Sequence, residues 1–63
     1  MDKRQQVLSR AEKVFGDKGR AAAWAVQVKS QFGGMSALEC AETEDGYLLV
    51  METLAKVEHG FGA

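Results

Sequence analysis

The sequence predicts an all-α domain, a small bundle of three to four helices. Three observations predict it. Glycines punctuate a 63-residue chain that has no proline. Between the glycines, apolar residues recur with a helical period, and capping residues stand where new segments would begin.

Val7, Leu8, Ala11, Val14 and Phe15 form the apolar stripe of an amphipathic first helix. Gly16 stops it, because glycine takes the left-handed cap conformation without a Cβ penalty. Asp17 then caps a second helix expected through residues 20–32. Ala21, Trp24, Ala25, Val28 and Phe32 would share one face of it, with the alanines letting another helix approach around the Trp24 ring. Gly33 and Gly34 end this helix, since adjacent glycines are costly inside one.

Ser36-Ala37-Leu38-Glu39 matches a capping box, so a short helix of about two turns should follow. Thr43 resets the chain, and Glu44 and Asp45 occupy a first turn where negative charge suits the helix dipole. A long helix is expected from there to His59, closed by Gly60. Val50, Leu54, Val57 and Phe61 make its stripe, with Met51 beside them. The run Tyr47–Met51 fits a strand taken alone, but the helical spacing continuing through Leu54 and Val57 decides for helix. Tyr47, Leu48 and Leu49 together exceed what one stripe can hide, so at least one faces outward toward a partner.

At this length one domain covers residues 1–63, and so small a domain buries only about 60% of the surface its unfolded chain exposes. A lone cysteine, Cys40, cannot close an internal disulfide, and one cysteine with one histidine falls short of a zinc site. Helix packing or a partner must supply the stability that staples would otherwise give. One thiol and no signal-like or membrane-spanning apolar run point to a cytoplasmic protein.

The net charge of −1 hides a division. Residues 1–31 carry seven Lys/Arg against three acids, a net +4, while residues 32–63 carry Lys56 against six acids, a net −5. Such asymmetry speaks about partners, or else describes two solvated faces of opposite sign. Gly16-Asp17-Lys18-Gly19 has the spacing of the GXXG loop that clamps nucleic-acid backbone in KH domains, which also need strands not expected here. With the basic first half it keeps nucleic-acid binding as a minor alternative. Cys40 and His59 lack a third orienting group and read as a buried thiol and a helix-terminal imidazole. The residues suggest neither a catalytic constellation nor a cofactor or metal site, and an enzyme is not expected.

Taken in order, "VFGDKGRAAAW", "FGGMSALE", "TEDG" and "AKVEHGF" resemble the toxin-binding domain of the MbcA/ParS/Xre antitoxins. The resemblance spans about residues 8–62. It implies an antitoxin for a RES-domain toxin, an enzyme that destroys NAD in the bacterial cell, with the antitoxin covering the entrance to the toxin's active-site pocket. Gly33, Gly34, Ser36, Leu38, Gly46, Glu58, His59 and Gly60 match motif positions of the family. Glu58, His59, Gly60 and Phe61 are the expected toxin contacts, with Glu44 and Asp45 contributing charge.

Three departures stand out. Ala37 replaces the family's usual proline after the serine, and Val28 and Ser30 occupy a linker where it favours proline. Leu48 and Leu49 stand at positions that are generally polar in the family. The helix-turn-helix-like region that many members carry has no room here, so DNA binding is not carried over. The alternative partner is a second copy of this chain, paired through Tyr47, Leu48 and Leu49.

Overall fold

The computed structural model describes residues 2–62; side chains beyond Gly60 lie outside that description. The order is α1 (Lys3–Phe15), α2 (Lys18–Val26), β1 (Val28–Lys29), a 3-10 turn (Ser30–Phe32), β2 (Met35–Ser36), α3 (Ala37–Cys40) and α4 (Glu44–Gly62). The fold is the expected small helical bundle, with a minimal two-stranded sheet added to it.

Helix α1 forms where its stripe predicts. Asp2 caps it, accepting from the Arg4 N–H at 2.9 Å. Gly16 closes it at φ +72°, donating its N–H to the Glu12 carbonyl. Asp17 begins α2 at once by accepting from the Gly19 N–H at 2.9 Å. The GXXG stretch is therefore a helix–helix corner, with the Gly16 and Gly19 amides used internally and the Asp17 carboxylate between them.

Helix α2 ends at Val26, six residues before the expected Phe32. Val28 and Lys29 instead pair antiparallel with Ser36 and Met35. The two β-branched residues Val26 and Val28 favour leaving the helix, and the paired glycines serve as a chain reversal between strands. Gly33 and Gly34 sit at φ +69° and +81°, where only glycine is unstrained. Val28 consequently leaves the expected face and is 67% exposed. Phe32 reaches the core from the 3-10 turn instead, at 2% exposure.

The capping box at α3 is complete. Glu39 donates its N–H to the Ser36 hydroxyl at 3.2 Å, and its carboxylate accepts from the Ser36 N–H at 3.1 Å. The helix has one turn rather than two. The chain then re-caps at Thr43, whose hydroxyl accepts from the Gly46 N–H at 3.0 Å. Helix α4 runs past its expected stop, because Gly60 keeps a helical conformation and the helix continues to Gly62.

Val7 and Ala11 of α1, Ala21 of α2, Phe32, Ala37 and Cys40, and Val50 and Leu54 of α4 close one core. Phe15 and Trp24 pack against it and form an aromatic chain with Phe32, successive ring centroids lying 6.0 Å apart. The Lys29 ammonium lies 5.0 Å from the Trp24 ring centroid and covers that ring on the outside. Small alanines at the α1–α2 contact are what allow so few large residues to fill the interior.

Candidate partner-binding surface

Helix α4 carries every contact residue expected from the sequence, so its seating determines what a partner meets. Val50 and Leu54 are fully buried and fix the rotation of the helix. With 3.6 residues per turn, the opposite side must then carry Asp45, Leu48, Glu52, Lys56 and His59. All five are exposed, as is Leu49 beside them. Leu48 is 58% and Leu49 42% exposed, which meets the expectation that part of the apolar run faces outward.

Tyr47 differs from its two neighbours. It is half-buried, and its hydroxyl donates to the Gln6 side-chain carbonyl at 2.7 Å, tying α4 to α1. Glu58 also leans toward α1, where its carboxylate accepts from the Arg10 guanidinium at 3.2 Å. Both partners of this bridge remain about half accessible, so it is a surface tether rather than a buried ion pair. His59 and Gly60 are exposed. The side chain of Phe61 lies outside the described residues.

The expected contacts do not converge on a point. Glu44 and Asp45 sit in the first turn of α4, while Glu58, His59 and Gly60 lie about 20 Å further along it at 1.5 Å per residue. They form a line, not a pocket. A shallow hollow elsewhere, lined by Asp2, Lys3, Arg4, Ala41 and Glu42, contains none of them.

Gly46 has a structural role that outweighs any role in contact. A Cβ there would lie 1.8 Å from the Cys40 carbonyl oxygen, so the start of α4 packs directly on the end of α3. The Cys40 thiol is buried and donates to the Gly46 carbonyl at 3.7 Å. His59 stands about 20 Å down the same helix, which separates the two as a catalytic pair. Among the described residues, no group of three or more His, Cys, Asp or Glu side chains can hold a metal. No helix among them is long and apolar enough to cross a membrane.

Sequence reasoning missed two residues of this surface. Glu52 lies between the leucines and His59, and helical phase alone would have placed it there. Arg10 could not be found that way, because only the packing of α1 on α4 brings it to Glu58.

Residues 10–60 match the family model described as the Antitoxin Xre/MbcA/ParS C-terminal toxin-binding domain. The chain is also 32% identical over 56 residues to a protein of Pseudomonas putida named Antitoxin Xre. That alignment covers 89% of this chain and 35% of the relative, so the chain spans about a third of that protein's length. No solved structure matches the chain.

Proposed function

The chain belongs to the Antitoxin Xre/MbcA/ParS C-terminal toxin-binding domain family, and from that premise we propose that it neutralises a RES-domain, NAD-degrading toxin by occluding the entrance to its active site. The mechanism is non-catalytic. A pocket that holds the pyrophosphate of NAD has to be electropositive, and the half of this chain from residue 32 onward carries a net −5. Complementary charge accelerates such an encounter more than it deepens affinity. Glu44 and Asp45 provide steering at one end of α4, and Glu58, His59, Gly60 and Phe61 meet the toxin at the other.

The observation that carries this reading is the match over residues 10–60, which includes the Glu58-His59-Gly60 segment at the far end of α4. The exposure of His59 and Gly60 supports it, since a contact segment has to be reachable. Glu58 takes part while tethered to Arg10, which limits the positions its carboxylate samples before docking.

Co-expression of the chain with a panel of RES-domain toxins, with cellular NAD followed over time, tests the proposal. Preserved NAD with at least one toxin is expected. Unabated depletion with every toxin would overturn it.

A further inference from the structure

From the seating of α4 we infer that its outward side, centred on Leu48 and Leu49 and including Glu52, is the main docking surface for the toxin, and that it receives an apolar recess edged by Lys or Arg side chains. This inference rests on the toxin-binding reading and extends it from the end of the helix to its flank.

Two adjacent leucines, exposed at 58% and 42%, belong neither to the core cluster nor to the apolar residues packed against it. They are not part of the core stripe, whose phase is fixed by Val50 and Leu54 on the opposite side. Thr53, four residues on from Leu49, donates its hydroxyl to the Leu49 carbonyl at 2.8 Å and is thereby satisfied within the helix. The border of this surface is acidic: Glu44, Asp45 and Glu52 surround the leucines, and Lys56 is held by Glu52 at 3.6 Å.

That border argues against a second copy as the occupant. Two α4 helices packed antiparallel about Leu48 and Leu49 would set Asp45 of one copy against Glu52 of the other, twice by symmetry. Packed parallel, each acid would face its own equivalent. Either arrangement brings like charges together around the apolar centre, which specific interfaces avoid. Lys56 pairs with Glu52 of its own copy at 3.6 Å and so offsets only part of this repulsion, while Glu44 and Asp45 take no part in the ion pairs of the described residues. A partner with cationic side chains around an apolar recess satisfies both the leucines and the acids. The electropositive mouth of an NAD-consuming pocket has the required sign.

The test uses the intact chain and a toxin against which the unaltered chain preserves NAD. The double substitution L48A/L49A keeps good helix formers at both positions, so the fold should be retained. Affinity measured by titration calorimetry should then fall on the order of 100-fold, the loss expected when two buried leucines become alanines. Glu52→Lys should slow association several-fold at low salt, with the difference shrinking as salt is added. Unchanged affinity in L48A/L49A would overturn the flank as docking surface while leaving the toxin reading intact. Failure of the unaltered chain with every toxin would remove the toxin reading itself. Sedimentation equilibrium supplies the remaining outcome: a dimer of the unaltered chain that dissociates in L48A/L49A assigns the face to self-association and overturns the inference.

Discussion

Arg10 and Glu58 stand 48 residues apart in sequence, yet their side chains meet at 3.2 Å across the α1–α4 contact. The bridge joins the basic half of the chain to the acidic half at the end of the helix that carries the proposed toxin contacts. Because both side chains keep 40% and 48% of their surface in water, its intrinsic strength is that of an exposed pair. A double-mutant cycle with Arg10→Ala and Glu58→Gln should give a coupling of about 0.2–1 kcal/mol in urea unfolding at low salt. The coupling should diminish at 1 M salt. A coupling well above this range would mean that the pair acts as a structural lock rather than a tether.

The two α4 glycines that match family motif positions should respond in opposite ways. At Gly46 a methyl group would collide with the Cys40 carbonyl, a backbone atom that cannot rotate away. Gly46→Ala should therefore prise α3 from α4 and destabilise the domain by several kcal/mol, in the range of severe core overpacking. At Gly60 a methyl group would meet nothing within 4 Å. Gly60→Ala should raise helix stability by up to about 1 kcal/mol. It should weaken toxin inhibition, if the bare backbone of Gly60 is what permits close approach. Thermal unfolding of the two variants, followed by circular dichroism, checks the stability half of this contrast, and an NAD-consumption assay checks the rest.

Leu54 and Leu48 offer a second contrast within one helix. Leu54 is fully buried, and Leu54→Ala should cost about 2–5 kcal/mol, enough to unfold much of so small a domain. Leu48→Ala removes a side chain that is mostly in water and should change stability by no more than about 0.5 kcal/mol. Urea denaturation of both variants measures the difference.

The capping box at α3 should be separable from packing. Ser36→Ala removes the acceptor for the Glu39 N–H and should cost about 1 kcal/mol. Glu39→Ala removes only the return bond to the Ser36 N–H and should cost less. Equal losses would show that both act through something other than the cap.

How much of this was legible in the sequence depended on whether a feature was local. The stripe from Val7 to Phe15, the stop at Gly16, the Ser36 box and the phase of Val50 and Leu54 are local, and all were readable. The second helix was overextended because Val28 and Phe32 continue an apparent helical stripe. Phe32 does enter the core, but by way of a hairpin that Gly33-Gly34 and the neighbouring valines signalled. Gly60 looked like a stop because glycine often is one, yet nothing forces it to a positive φ. The candidate surface divided in the same way. Leu48 and Leu49 follow from helical phase. The inward turn of Tyr47 to Gln6, the Arg10 tether on Glu58 and the contact of Gly46 with Cys40 require the packed helices.

The most direct measurement of the central claim uses purified components. A RES-domain toxin consuming NAD would be titrated with the purified chain, and the rate of NAD loss recorded at each ratio. Occlusion predicts that the rate falls toward zero as the chain approaches saturation, with L48A/L49A needing on the order of 100-fold more chain for the same effect. A rate that stays constant for every toxin, even under a large excess of the chain, would contradict the account.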